Sequence, residues 1–251
     1  MSDRPPVEPP HPSMNPSPSA APGLSILIPV YNEAPTIRAI LDKVRAVPFP
    51  VEREIIVVDD GSTDGTRDAL AALPTWSDVR VVLHEKNGGK GAAVQTALRH
   101  AQGEIVVIQD ADLELEPSDL LPLLDVLRSG ESDVCYGSRF LGDNRAFRRL
   151  PTYWANRILN GACNLINGLR ITDMNTCYKM MRRDIALRIR LESRGFAMEP
   201  EITTKLARMG RRIVERPVTY RPRGRAEGKK IRIWAFVEYL RALIRFRYLT
   251  P

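Results

Sequence analysis

Carboxylates and cations fall in short clusters along this chain, and their types suit the handling of a phosphate-rich ligand. Asp110, Asp112 and Glu114 alternate in sequence, so an extended backbone would turn all three to one side. Three hard oxygen donors there suit Mg²⁺ or Mn²⁺, which bind through a few carboxylates and complete their shell with substrate phosphates. The competing account is a trio of turn and N-cap residues ahead of a helix that starts at Pro117. Asp59, Asp60, Ser62 and Asp64, with Gly61 among them, offer acceptors for a base N–H or for ribose hydroxyls. A turn that caps the next helix would use the same residues. Asn87, Gly88, Gly89, Lys90 and Gly91 resemble a phosphate loop without P-loop spacing, so Lys90 either meets phosphate or braces a tight turn.

Each cluster follows a short apolar run, and those runs are what must position it. The pattern predicts strands at Leu24–Val30, residues 54–58, Val79–Leu83, residues 104–108 and residues 133–136. Between them it predicts helices over residues 35–47, with Ile37, Ile40, Leu41 and Val44 on one face, over 64–73, up to Ala101, and over 117–127. Strands alternating with helices imply an α/β fold, a mainly parallel central sheet with helices on both faces. Ligands then sit beyond the carboxyl ends of the strands, where these polar groups are. After about residue 140 the rhythm changes. A helix over 151–169 would use Tyr153, Trp154, Ile158, Leu159, Leu165 and Ile166 as apolar positions, followed by a strand at 176–181, a helix at 200–209 and a strand at 212–220. A last helix, 231–249, mixes Trp234, Phe236, Tyr239, Leu243 and Phe246 with Arg241, Arg245 and Arg247.

The 251 residues, 43% of them hydrophobic, support one large domain. Residues 1–23 contain eight prolines and read as a disordered tail. There is no h-region of a signal peptide, and no run of 18 uncharged apolar residues to span a membrane. Cys135, Cys163 and Cys177 are odd in number and lack metal-ligand spacing, which reads as reduced thiols in a cytoplasmic protein. Charge is uneven. Residues 1–138 carry 11 Lys and Arg against 21 Asp and Glu, whereas residues 139–251 carry 26 against 9. The basic half implies an anionic partner (phosphates, nucleic acid or an anionic membrane face) or a solvated basic surface.

Taken together, Pro29 through Glu33, Val58 through Ser62, Asn87 through Gly91, Asp110 through Asp112 and Gly137 through Arg139 resemble family 2 glycosyltransferases of the GT-A fold. Within them the chain is most similar to the polyprenyl- and dolichol-phosphate sugar synthases, over about residues 24–249. The resemblance implies a GT-A catalytic domain over 24–230 and a basic amphipathic helix over 231–251. It implies that Pro29, Tyr31, Glu33 and Asp60 surround the nucleotide base and ribose, and that Lys90, Asp110 and Ala111 meet the diphosphate. Asp110, Asp112 and Glu114 would hold the metal. Asp173 through Lys179 is similar to a family segment that ends in arginine; lysine keeps the charge and loses the bidentate fork. Gly195 through Glu201 is similar to a second segment, and Arg223 through Lys229 to a loop that covers the diphosphate with Arg223 and Lys229.

The implied reaction is attack of an acceptor oxygen at an anomeric carbon with departure of a nucleoside diphosphate, and inversion follows from the resemblance alone. Asp112, a divalent ion and nearby cations would offset the charge on the leaving group. A polyprenyl phosphate acceptor is already ionised and needs positioning, by Arg139 and Lys179, more than a base. That fits the distance in sequence of His11, His84 and His100 from these motifs. A hydroxyl acceptor would need a base, Glu201 or Glu199. GDP-mannose and UDP-glucose both fit as donors. The rival readings are a family 2 enzyme with a soluble hydroxyl or glycan acceptor, and a nucleic-acid-binding protein, which the acidic strand ends disfavour. The expected location is the cytoplasm; a lipid acceptor would be reached by peripheral contact at the membrane face through the two amphipathic stretches, or the last helix instead packs its apolar stripe on the core or on a second subunit.

Overall fold

The structure, a computed structural model, describes residues 22–148, 151–222 and 233–250. Of the tail expected over 1–23, residues 1–21 lie outside them, as do Arg223 and Lys229, whereas Gly23 N already donates to Glu52 O at 2.9 Å. The five apolar runs of the first half become β1 (Leu24–Val30), β2 (Arg53–Asp59), β3 (Val79–Leu83), β4 (Ile105–Ile108) and β5 (Val134–Ser138). β1 pairs in parallel with β2 and β4, and β2 with β3. β1, β2 and β4 are buried on both faces, which is why they read as continuous apolar runs rather than as alternation.

Between the strands run α1 (Ile37–Ala46), α2 (Thr66–Ala71), α3 (Lys90–His100) and α4 (Leu120–Arg128). α1 buries Ile37, Ile40, Leu41 and Val44, the face its period marks out. It stops where Pro48 forces Val47 out of the helical region, to φ −68° and ψ 125°.

The second half turns the sheet. β6 (Lys179–Arg182) enters between β4 and β5 and runs antiparallel to both, and β7 (Val214–Pro217) closes the far edge parallel to β5. Among the described residues this gives a seven-stranded sheet in the order β3-β2-β1-β4-β6-β5-β7. The strand expected at 176–181 therefore starts later and reverses the parallel rule. Because it is reversed, residues 173–178 reach the same sheet edge as the residues that follow β4.

Five more helices are described: α5 (Arg145–Arg148), α6 (Pro151–Asn167), α7 (Arg183–Ile189), α8 (Met198–Arg208) and α9 (Ile233–Ile244), the last running into a π-helical turn at Arg245–Leu249. α6 turns only part of its expected apolar set inward: Leu159 is buried, and Tyr153 and Ile166 are half-buried. Asn156, Asn160 and Asn167 lie on its buried face with Leu159 and Cys163, while Trp154, Ile158 and Leu165 are exposed. Hydrogen bonds explain why asparagines share the buried face. Asn160 Oδ1 accepts from Met174 N at 2.9 Å, Asn164 binds both N and O of Ile171, and Asn156 Oδ1 accepts from Asn175 Nδ2 at 2.7 Å. Asn160 and Asn164 thus satisfy part of this loop's backbone, and Glu215 of β7 accepts from the amides of Thr172 and Asp173. α9 packs its own stripe on the body, with Leu243 against Leu159, Cys163, Ile171 and Met174, and Phe246 with Ala197 and Ala242. No helix among the described residues is long and apolar enough to cross a membrane.

Candidate active site

The loops after β1 and β2 are stitched to each other. Asn32, at φ +54°, donates its N–H to Ser62 Oγ and accepts from Thr63 N, both at 2.9 Å. Glu33 N donates to Thr66 Oγ1, Ala34 N to Asp64 Oδ2, and Glu33 Oε2 accepts from Thr36 Oγ1. Pro29 is half-buried at the end of β1, and Tyr31 just after it is 48% exposed. Asp59 is fully buried and takes Arg67 Nε at 2.7 Å.

Asp60 points inward. Its Oδ1 accepts from Gly88 N at 3.0 Å and lies 2.7 Å from His84 Nδ1, and its Oδ2 accepts from Gly89 N at 2.7 Å. A carboxylate can only accept, so His84 donates from Nδ1, and its Nε2 lies 2.9 Å from the Thr96 hydroxyl. His84, set apart from the motifs by sequence distance, therefore belongs to the site's framework. The signal that would have found it is its place directly after β3, where His84 N continues the ladder to Asp59 O at 2.8 Å.

Glu201 does for a second segment what Asp60 does for the first. Fully buried, it accepts from Glu192 N and Ser193 N, both at 2.7 Å, and from Lys205 Nζ at 2.7 Å. The two pinned segments touch. Gly89, at φ +92°, and Gly91 leave no room for a Cβ, which would fall 2.6 Å from Arg194 O and 2.1 Å from Ser193 O respectively. α3 is thereby fixed at its first residue, Lys90.

From that point Lys90 Nζ reaches Asp110 Oδ1 at 2.8 Å and Glu199 Oε1 at 3.2 Å. Burial alone would lower this ammonium, but Asp110 and then Glu199 outweigh it and hold Lys90 well above the usual lysine range. The other oxygen of Glu199 pairs with Lys179, a wholly buried lysine that also donates to Met174 O at 2.8 Å and to Thr176 O. Asp110, Lys90, Glu199 and Lys179 form one alternating chain of charge. Lys179, expected at an acceptor phosphate, sits inside this chain and reaches no solvent.

The expected metal trio is not assembled. Asp110 through Glu114 form a turn rather than a strand, with Leu113 at φ +58°, so the alternation that would align three carboxylates does not apply. Asp112 is buried and caps Glu114 N at 3.2 Å, and Ala111 is buried beside it. Glu114 Oε2 turns to the Tyr220 hydroxyl at 3.1 Å. Among the described residues no group of three His, Cys, Asp or Glu is arranged to hold a metal. What remains is a pair of aspartates on one turn, the first already neutralised by an ammonium that stands in for a cation. That set fits a divalent ion which draws the rest of its shell from water and diphosphate, and it does not fit an all-protein cage.

Arg139 lies between Phe147 and Tyr220, 5.2 and 5.3 Å from their ring centres. Its Nε and Nη2 are both 2.7 Å from the buried Asp173 carboxylate, a bidentate pair. Burial works against the charge, and Asp173 more than offsets it, raising the guanidinium further. A surface cavity of about 570 Å³ lined by Arg188, Arg190, Lys205 and Arg208 contains none of the strand-end carboxylates, so the strand ends locate the site, not cavity size.

This arrangement has known relatives. The sequence profile described as Glycosyl transferase family 2 matches residues 25–190, well over half of the chain. The chain belongs to that family. It is 36% identical over 211 residues to the glycosyltransferase AglJ of Haloferax volcanii, covering 83% of this chain and 65% of that protein. It is 32% identical over 222 residues to the undecaprenyl-phosphate mannosyltransferase of Micrococcus luteus, covering 81% of this chain and 85% of that one. The chain spans less than two thirds of the length of AglJ, and only 33% of one longer relative. The crystal structure of glucosyl-3-phosphoglycerate synthase from Mycobacterium tuberculosis in complex with Mg²⁺ and uridine diphosphate superposes with a TM-score of 0.67 at 23% identity, over 92% of this chain and 80% of that one. That likeness, with the sheet order above, gives the GT-A fold. The family 2 glycosyltransferase expected from the motifs is thus the family found.

Proposed function

We infer that this glycosyltransferase moves a hexose from a nucleotide-diphospho-sugar, GDP-mannose or UDP-glucose, to a polyprenyl phosphate, with a divalent ion and inversion at the anomeric carbon. The observation that carries the reading is the Asp110–Asp112 turn at the carboxyl end of β4, directly opposite Lys90 at the start of α3. Tyr31 offers its exposed ring to the base. Lys90, at the first residue of α3, presents positive charge to the diphosphate. Mg²⁺ or Mn²⁺ held by Asp110 and Asp112 would supply Lewis-acid neutralisation of the leaving group. Arg139, oriented by Asp173, keeps Nη1 as the one guanidinium nitrogen not bonded to that carboxylate, and it orients the acceptor phosphate. An acceptor phosphate oxygen attacks the anomeric carbon, the bond to the diphosphate oxygen breaks, and the nucleoside diphosphate departs with that electron pair.

The acceptor class is supported from two sides. Glu199 and Glu201, the two base candidates, are buried and engaged at both oxygens, which favours an acceptor that is ionised before it arrives. A relative named as an undecaprenyl-phosphate mannosyltransferase points the same way. Access to a lipid acceptor is supported by the outward face of α6, where Trp154, Ile158 and Leu165 are exposed, with Arg157 exposed on the same helix and Arg170 exposed after its end. Apolar side chains rimmed by arginines suit peripheral contact with an anionic bilayer.

The test is a panel of nucleotide sugars with Mn²⁺ or Mg²⁺, with and without polyprenyl phosphate in detergent, read as nucleoside diphosphate release and as labelled lipid. Release should require metal and rise with the lipid. Turnover indifferent to EDTA, or equal transfer to water-soluble hydroxyl acceptors, sinks the reading.

A further inference from the structure

We propose that Tyr220 is a positioning residue that keeps Arg139 in register with the turn after β4, its ring backing the guanidinium and its hydroxyl holding Glu114. The inference rests on the reading of Arg139 as the group that receives the acceptor phosphate and of the Asp110–Asp112 turn as the diphosphate side. Two sets of contacts meet on this residue, which follows the end of β7. Toward the β4 turn, Tyr220 bridges Leu115, Arg221 N donates to Glu114 O at 2.8 Å, and Thr219 N donates to Asp119 Oδ2 at 2.6 Å. The Tyr220 hydroxyl adds its bond to Glu114 Oε2 at 3.1 Å. Toward Arg139, Tyr220 N donates to Asn144 Oδ1 at 2.9 Å, and the buried Asn144 gives its own Nδ2 to Arg139 O at 2.7 Å and to Val218 O at 2.9 Å. The ring lies 5.3 Å from the Arg139 guanidinium and meets the Phe147 ring edge-on at 5.1 Å.

Each contact restrains what the others leave free. Asp173 holds one edge of the guanidinium through Nε and Nη2, which fixes its direction but not its tilt about that edge. An aromatic surface beside it limits the tilt and keeps water from that side. Tyr220 is itself half-buried with its ring against the main core, so the surface it offers is a fixed one. Its hydroxyl binds a carboxylate on the other side of the site, so the ring cannot slide from Arg139 without giving up Glu114. Glu114 has further contacts of its own, and the tyrosine bond is one among them. The distance between the group that orients the acceptor and the turn that faces the donor thus passes through one side chain. In-line attack depends on that distance, because small misplacements of bound reactants cost large factors in rate.

The measurement is steady-state kinetics of the full-length protein with nucleotide sugar, Mn²⁺ and polyprenyl phosphate in detergent, for the wild type, Tyr220→Phe, Tyr220→Leu and Arg139→Gln. Calorimetric stoichiometry for UDP or GDP counts the folded sites. Tyr220→Phe keeps the ring and loses only the Glu114 bond, so the acceptor KM should stay within about twofold while kcat per folded site falls about tenfold. Tyr220→Leu loses the ring as well, and the acceptor KM should then rise about tenfold with the donor KM within about twofold. A residue that only stabilised the fold would lower the melting temperature or the stoichiometry and leave both constants of the remaining sites alone; that result overturns the proposal. An equal rise of donor and acceptor KM in Tyr220→Leu overturns it too. Should Tyr220→Leu fail to fold, Tyr220→Phe decides, and a kcat per folded site within about twofold of the wild type ends the positioning role. A wild type without acceptor-dependent turnover, or an acceptor KM untouched by Arg139→Gln, sinks the functional reading itself. An acceptor KM that responds to Arg139→Gln but not to Tyr220→Leu sinks only the role of Tyr220.

Discussion

Replacing Asp60 with asparagine exchanges one carboxylate oxygen for an NH₂ group and leaves the side-chain shape alone. In the favourable orientation the amide oxygen keeps Gly88 N and His84 Nδ1, and the NH₂ then faces Gly89 N–H across what was a 2.7 Å hydrogen bond. The flipped amide is worse, because it opposes two donors. One charge-assisted bond is lost and two donors are left face to face, a cost of roughly 2–4 kcal/mol. At about 2–4 °C per kcal/mol for a protein of this size, the melting temperature should fall by roughly 5–15 °C. The assay is thermal unfolding by circular dichroism, paired with calorimetric Kd values for UDP and GDP. Both should suffer, since a released Gly88–Gly89 turn no longer fixes Lys90. A melting temperature unchanged within about 2 °C, with nucleotide affinity lost, would refute this reasoning and return Asp60 to the base or ribose, where the family resemblance put it.

Other outcomes follow from the same geometry. Asp112→Ala should lower metal-dependent turnover about a hundredfold or more while the far-ultraviolet circular dichroism stays native; surviving activity would remove the metal from the mechanism. Trp154→Ser with Ile158→Asp should leave stability within about 0.5 kcal/mol, because both side chains are already more than 60% exposed, yet weaken sedimentation with phosphatidylglycerol vesicles. Equal sedimentation would clear this face of membrane contact. Burial raises the Cys135 thiol to about 12 and Cys163 to about 11, and pushes Cys177 up as well. Iodoacetamide at pH 8 should therefore label none of the three in the native protein and all three after unfolding, scored by intact mass. The sign for stability follows: unfolded thiols ionise near 9.0 while the folded ones hold their protons, so their contribution is complete below pH 9 and fades as pH rises toward 11–12. The melting temperature at pH 10.5 should lie below that at pH 8.

Local periodicity made much of the first half legible. Leu24–Val30 and Val79–Leu83 are strands to the residue, and the buried face of α1 is the one its spacing names. The parallel order also placed the polar clusters at one sheet edge, because ligand-facing ends follow from strand direction. What failed depended on distant partners. The reversed direction of β6 is set by pairing with β4 and β5, of which its own residues carry no sign. α7 is short and arginine-rich, so its period has little to show. α6 has apolar residues on two sides, and hydrogen bonds from its asparagines to residues 171–175 decide which side turns in. The Asp110, Asp112 and Glu114 alternation assumed an extended chain, and one left-handed residue, Leu113, removes that premise. Asp60 was expected at the base or ribose and Glu201 as a base, and both instead hold backbone amides, with His84 and Lys205 beside them.

The reversed strand β6 has a further consequence for how this protein could be re-engineered. Because it runs against its neighbours, the chain from β5 through α6 to β6 leaves the sheet and returns as a closed excursion whose ends are adjacent, Tyr136 opposite Lys179. That excursion carries Arg139, Asp173 and the outward face of α6, while Tyr31, Asp60 and Lys90 belong to the half before it. On the proposed reading, the groups assigned to the acceptor and those assigned to the nucleotide lie in consecutive stretches of the chain, and exchange of residues 137–178 between relatives is expected to carry the choice of acceptor with it.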